Sequence, residues 1–130
     1  MSNSWTTYDN DDLPIGWKDE VFRYCQFNAL DLEGEIFTGA LLECEFKASS
    51  FYLGLFNTAT LARTRFEDCA FNGTSFKDCV LTECQFIRCH FAEDSMGGEC
   101  QFDGSRWYAC TQSECVGLDV DAVMVFALNV

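Results

Sequence analysis

The sequence of 130 residues predicts an all-β fold, a four-sided solenoid of short parallel strands about five coils long. Three observations predict it. The first is an apolar residue at every fifth position from Leu41 to Met96, through Phe46, Phe51, Phe56, Leu61, Phe66, Phe71, Phe76, Leu81, Phe86 and Phe91. The lattice also takes in Phe22, Phe27, Leu32 and Phe37 before this run and Phe102 and Trp107 after it, so that only Phe126 of thirteen Phe falls outside. A period of five is neither 3.6 nor 2, and a fixed short period marks a repeat architecture.

The second observation concerns the position two residues before each centre. It is small or a thiol at Cys25, Cys44, Ser49, Gly54, Ala59, Thr64, Cys69, Thr74, Cys79, Cys84, Cys89 and Cys100, and Cys110 and Cys115 continue the spacing from Ser105. All nine Cys therefore occupy one register. Two inward and three mostly polar outward positions per unit describe one side of a coil. The third observation is a 20-residue step that superposes like on like: Phe46 with Phe66 and Phe86, Phe51 with Phe71 and Phe91, Phe56 with Phe76 and Met96, and Leu41 with Leu61 and Leu81. Four such sites per turn fill a square interior. Coils spaced by the strand separation of ~4.8 Å give a rod of roughly 24 Å.

Taken in chain order, residues 1–19 are expected to lie outside the repeat as an N-terminal cap. Trp5, Tyr8, Leu13, Ile15 and Trp17 supply apolar surface to fold over the first coil, and Asp9, Asp11 and Asp12 make the cap acidic. An open solenoid end needs such cover because it exposes core side chains and unpaired strand groups. The repeat runs over 20–117 with two slips in register. The spacing loses one residue around Gly39-Ala40-Leu41-Leu42, and it gains one at Gly97-Gly98, read as a one-residue bulge after Met96. Residues 118–130 leave the lattice and turn apolar. They are expected to form a C-terminal cap or a dimerisation tail through Val123, Val125, Phe126 and Leu128. The whole is one domain.

The units Cys69-Ala70-Phe71, Cys79-Val80-Leu81, Cys84-Gln85-Phe86 and Cys89-His90-Phe91 resemble the pentapeptide-repeat family. The resemblance covers about three quarters of the chain and implies a right-handed quadrilateral β-helix, in accord with the stacking. The Cys-x-Phe flavour is similar to the quinolone-resistance branch, whose members are dimeric, acidic DNA mimics that engage DNA gyrase. Those proteins are longer and often carry loops projecting from the coils, where this sequence shows only the bulge at Gly97-Gly98.

The residues argue against chemistry. Cys79, Cys84 and Cys89 lie five apart on successive sides of a square, whereas zinc ligands converge on one point, so no metal or other cofactor is expected. Thiols facing inward beside Phe rings act as small hydrophobes. His90, the single His, precedes a centre and so faces out, away from Cys89. Glu67-Asp68 and Glu93-Asp94 lie on or beside convex outer faces with no cleft to split their pKa values. The start of the chain is polar and acidic, and no apolar run approaches membrane-spanning length, so a cytoplasmic location with reduced thiols is expected.

Function is therefore expected on the outer surface, in a non-catalytic binding protein. The net charge is −13, which disfavours direct binding to nucleic acid or to anionic membranes and suits a protein partner with a basic surface. Residues 1–45 hold ten Asp/Glu against Lys18 and Arg23, a net of −8, and residues 46–130 hold eleven against six cations, a net of −5. The candidate contact joins the apolar Ile36, Tyr52, Leu53 and Leu55 to the acidic Asp31, Glu33, Glu43 and Glu45. A rigid acidic rod imitates the phosphates of a duplex. The expected roles are thus inhibition of a DNA- or RNA-acting enzyme, such as immunity to a nuclease-type toxin, gyrase engagement of the quinolone-resistance type, or a structural scaffold.

Overall fold

Residues 3–118 are described in the computed structural model of the chain. Each five-residue unit makes a short strand and a bend, with the centre side chain turned inward and its neighbours outward. A strand β1 (Thr7–Tyr8) precedes a 3-10 turn at Trp17–Asp19. The first coil holds β2 (Val21–Arg23), β3 (Gln26–Asn28), β4 (Asp31–Glu33) and β5 (Ile36–Phe37). The second holds β6 (Ala40–Leu42), β7 (Glu45–Lys47), β8 (Ser50–Tyr52) and β9 (Leu55–Asn57). The third holds β10 (Thr60–Ala62), β11 (Arg65–Glu67), β12 (Ala70–Asn72) and β13 (Ser75–Lys77). Then come β14 (Val80–Thr82), β15 (Gln85–Ile87) and β16 (His90–Ala92), and finally β17 (Arg106–Tyr108) and β18 (Thr111–Ser113).

Each strand pairs in parallel with its equivalent one coil away, so the sides of the square are four sheets. The first face stacks β2, β6, β10, β14 and β17; the second stacks β1, β3, β7, β11, β15 and β18. The third stacks β4, β8, β12 and β16, and the fourth β5, β9 and β13. Bridges from Ser75 to Gln101 and from His90 to Val116 carry the fourth and third faces further. The result is a β-helix of four turns and part of a fifth, slightly short of the five expected.

The expected columns form. Phe27, Phe46, Phe66 and Phe86 stack with ring centroids 4.4, 5.0 and 5.0 Å apart. Phe51, Phe71 and Phe91 stack at 5.1 and 4.7 Å, and Leu41, Leu61 and Leu81 pair in register on the first face. These rings are near-parallel along each column and tilted or edge-on between columns, as at Phe66 and Phe71 with an interplanar angle of 67°. Ring quadrupoles favour both arrangements.

The small register does more than make room. Its hydroxyls and thiols donate to the carbonyl of a centre residue in the coil below. Thr64 donates to Leu41 at 3.0 Å, Cys79 to Phe56 at 3.1 Å, Cys84 to Leu61 at 3.4 Å, Cys89 to Phe66 at 3.3 Å and Cys115 to Phe86 at 3.2 Å. A buried carbonyl has a second lone pair to satisfy, which explains a register of Cys, Ser and Thr in place of Ala alone. The bends have their own device. Glu43, Arg63 and Glu83 sit in the left-handed region at φ 54°, 48° and 54°. Each donates its amide to the coil above, Glu43 to Ala62 and Arg63 to Thr82, both at 2.8 Å. That bond offsets the cost of positive φ in a residue bearing a Cβ.

Two expectations need correction. Part of the segment 1–19 joins the lattice: β1 pairs with β3, Tyr8 lies over Phe27 and is buried, and Trp17 stacks at 6.0 Å on Phe37. Leu13 also packs on the core, but Trp5 and Ile15 face solvent, Trp5 stacked on Tyr24 at 4.4 Å. The second correction is at Met96, which is 91% exposed and lies on no column. Phe102 takes the site above Phe76, at 5.7 Å, and Leu81 pairs with Trp107, a step of 26 residues where Leu61 to Leu81 is 20. The chain thus inserts six residues in the fourth coil, a loop where a one-residue bulge was expected. The lost residue near Gly39 is as read, since Phe22 pairs with Leu41 across 19 residues. Val123, Val125, Phe126 and Leu128 lie outside the described residues.

Candidate interaction surface

Among the described residues the inward-facing thiols are buried or half-buried. Burial pushes the Cys44 thiol up to about 11, and burial likewise raises Cys79, Cys100 and Cys115. In the stacked pairs Cys84–Cys110 and Cys69–Cys89 the shared hydrogen bond raises Cys84 and Cys89 and lowers Cys110 and Cys69. All four are buried, so no exposed thiolate results. Among the described residues no group of three or more His, Cys, Asp or Glu is placed to hold a metal ion. An apolar void of about 20 Å³ lies among Phe22, Leu32, Phe37, Leu41 and Phe56, too small for any substrate. His90 is exposed. No helix among the described residues is long and apolar enough to cross a membrane.

Most of the predicted contact residues fall on the edge between the third and fourth faces. β4 presents Asp31 and Glu33 outward, and β5 presents Ile36, 49% exposed and paired in register with Leu55 of β9. Tyr52, from β8, and Leu53, 45% exposed in the following bend, stand one coil above. The structure therefore brings together six of the eight predicted contact residues: Asp31, Glu33, Ile36, Tyr52, Leu53 and Leu55.

It does not bring Glu43 and Glu45 there. They sit at the bend between the first and second faces and on the second face itself, where they are already paired. Arg63 approaches Glu43 at 3.4 Å and Glu83 at 3.7 Å, and Arg65 approaches Glu45 at 3.6 Å and Glu67 at 3.1 Å. Arg88 bridges Asp68, at 2.8 Å, and Glu67. Its guanidinium holds the Asp68 carboxyl below the usual range, and these two carboxylates push the Arg88 pKa up in turn. The rod is therefore not uniformly acidic. One side alternates charge, whereas Asp31, Glu33, Glu93 and Glu99 have no ion pair among the described residues.

The inserted loop belongs to the same edge, and sequence reasoning missed it. The Tyr52 hydroxyl donates to Ser95 Oγ at 2.6 Å and accepts from the Ser95 amide at 2.8 Å. Asn72 Nδ2 donates to the Glu93 carbonyl at 3.1 Å. The Asp94 carboxylate accepts from the amides of Met96, at 2.7 Å, and Gly98, at 2.9 Å. A Cβ at Gly73 or Gly98 would come within 2.7 or 2.5 Å of that carboxylate, so glycine at both makes its seat. The loop is thus held in one shape with Met96 at its exposed tip. The sequence did contain the signal: if Met96 were a centre, Asp94 would fill the small inward register, whereas Cys100 fits that register before Phe102.

At the N-terminal end the edge runs into an open groove of about 470 Å³. Asp11, Leu13, Ile15, Asp31 and Glu35 are among its lining residues, with Lys18 paired to Glu35 at 2.7 Å. Acidic groups at both ends and apolar side chains between them make one continuous strip.

The pentapeptide repeats family model matches residues 59–93 in eight copies. Comparison with curated proteins finds no match. Among 13 matching solved chains is the plasmid-mediated fluoroquinolone resistance protein QnrB1, in a trypsin-treated variant. This chain is similar to it at 15% identity with a TM-score of 0.42, covering 86% of this chain and 65% of that one. The chain thus spans less than two thirds of that protein's length.

Proposed function

We propose that this pentapeptide-repeat chain is a non-catalytic binding module that grips a basic protein partner along the edge from the N-terminal groove to the loop carrying Met96, and so inhibits or neutralises it. One observation carries the reading. Asp31, Glu33, Glu93 and Glu99, without an ion pair among the described residues, flank exposed Ile36, Leu53 and Met96 on a single edge, while Arg63 meets Glu43 and Glu83 at the opposite bend and Arg88 meets Asp68 between the second and third faces. Apolar anchors within a charged rim are the composition of a protein interface, and the charge sets encounter rate and partner choice. A partner that normally holds nucleic acid in a basic groove suits this strip, and nine reduced thiols suit a cytoplasmic setting. The charge pattern favours competition at one groove over imitation of a duplex along the whole rod.

The test is capture of a partner from the native host on immobilised protein, with wild type set against Asp31→Lys/Glu33→Lys. Binding lost in the variant and weakened steeply by salt supports the reading. Capture indifferent to both changes overturns it. A supercoiling assay then separates partners: an effect on gyrase identifies a topoisomerase, and none leaves a nuclease or other basic enzyme.

A further inference from the structure

We infer, on the footing of the function proposed above, that the basic partner docks an extended segment on the N-terminal edge of β4 as one more parallel strand, read as a basic–apolar–basic alternation. The backbone of residues 3–20 closes this end of the rod on the other faces. On the first, the Arg23 amide donates to the Asn3 carbonyl at 2.9 Å and the Arg23 carbonyl accepts from the Trp5 amide at 3.1 Å. On the second, β1 pairs with β3, and on the fourth the Thr38 amide donates to the Lys18 carbonyl at 2.7 Å. The third face is different. There β4 pairs with β8 on one side, and on the other it meets no strand among the described residues.

The cause lies in residues 9–14. After Tyr8 the chain folds into a turn, in which the Asp9 amide donates to Asp12 Oδ1 at 2.6 Å and the Asp12 amide to the Asp9 carbonyl at 3.3 Å. Pro14 follows, and it has no amide to give a ladder. The chain thus bypasses the third face and leaves the open groove against β4, with Leu13, Ile15 and Trp17 in its wall. Leu32 marks the gap: it is half-buried, whereas Phe51, Phe71 and Phe91 above it in the column are buried. Asn10 Oδ1 accepts from the Asp31 amide at 3.0 Å, where the second face uses backbone, the Gln26 amide donating to the Thr6 carbonyl at 2.9 Å. The amide and carbonyl of Glu33 hold the same place in their unit as those of Arg23, and they have no partner among the described residues.

An exposed strand edge with unmet backbone groups is a template for a further strand, and the backbone bonds give such docking its affinity. Alternation then fixes the side chains. The residue opposite Leu32 turns inward onto the apolar wall of the groove and must be apolar. Those opposite Asp31 and Glu33 turn outward beside carboxylates and must be basic. The same carboxylates refuse a second copy, because pairing through its own β4 would set acid against acid.

The probe is the end-blocked peptide Thr-Arg-Val-Arg-Thr, titrated into the full chain and followed by amide NMR. With its second Arg opposite Glu33, as Ser4 lies opposite Arg23, the Val carbonyl meets the Glu33 amide and the last Thr amide meets the Glu33 carbonyl. The expected result is saturable shifts at Asp31, Leu32, Glu33 and Trp17, with slowed exchange of the Glu33 amide. N-methylation of the last Thr, or the reordered Arg-Arg-Thr-Thr-Val, is expected to cost about tenfold in affinity, as is Glu33→Lys in a chain whose melting curve is unchanged. Affinity indifferent to N-methylation, shifts confined to other faces, or no shift at millimolar peptide overturns strand addition. If capture of the native partner is then still lost in Asp31→Lys/Glu33→Lys, the function proposed above stands without it. Peptide binding beside a capture indifferent to that variant is the converse, and overturns the proposed function alone.

Discussion

Tyr52→Phe removes one oxygen and isolates the link between the β-helix and its loop. The phenyl ring stays in place on β8, so packing is unchanged. What is lost is the hydroxyl that donates to Ser95 Oγ at 2.6 Å and accepts from the Ser95 amide at 2.8 Å. A net value of about 0.5–1.5 kcal/mol per hydrogen bond, at the lower end for exposed groups, puts the loss at about 1–2 kcal/mol. The remaining ties, from Asn72 to Glu93 and from Asp94 to the amides of Met96 and Gly98, hold the loop only to itself and to one neighbour. Local opening is then roughly 5- to 30-fold more frequent. Amide hydrogen exchange, resolved over residues 93–98, reads this directly. The expected outcome is faster exchange at Ser95, Met96 and Gly98, with the core strands and the melting temperature unaffected. Unchanged exchange in the loop, or a fall in melting temperature of the size a core truncation gives, would refute the assignment of Tyr52 as its anchor.

Other predictions address the core and the charged bend. Phe66→Ala removes a ring fully buried between Phe46 and Phe86 and is expected to cost about 3–5 kcal/mol in denaturant unfolding, where a cost below about 1 would contradict the stacked column. Thr74→Val deletes the buried hydroxyl that donates to the Phe51 carbonyl and is expected to cost about 1 kcal/mol, whereas a neutral result would reduce the small register to mere spacing. Burial raises Cys44 from 9.0 to about 11. Folding therefore favours the protonated thiol, and that contribution is complete below the unfolded value and lost as pH rises through the folded one. Stability is expected to fall between about pH 9 and 11, with a smaller fall in Cys44→Ser; equal slopes would contradict the linkage. Arg88→Gln should raise the Asp68 pKa, seen by NMR titration. The depressed carboxyl stabilises the fold above its unfolded pKa, a contribution lost on acidification that the variant lacks.

The fold was legible because a period of five states both which side chains turn inward and how many sides a coil has. The 20-residue step followed from stacking Phe on Phe. Even the ion pairs were within reach, since Glu43, Arg63 and Glu83 are 20 apart, as are Asp68 and Arg88. Reading the acidic residues without that step placed Glu43 and Glu45 in the contact, although arginines one coil above already meet them. Met96 misled for another reason: an apolar residue at the right interval is indistinguishable from a core residue until its neighbours are tested. Asp94 fails that test, because a carboxylate does not belong in the inward register beside Phe rings. Tyr52 was chosen for its exposed ring, and its hydroxyl contact with a residue 43 positions away depends on where the loop folds back. Donation by thiols to carbonyls was invisible for the same reason: it depends on backbone geometry between coils, which composition does not encode.

The most direct measurement of the central claim is an amide hydrogen-exchange footprint on the complex with the captured partner. Protection is expected over β4 and β5, the bend at Leu53 and the loop around Met96, with the side bearing Arg63, Arg65 and Arg88 unchanged. Protection confined to that arginine-bearing side, with the loop exchanging as in the free protein, would contradict it.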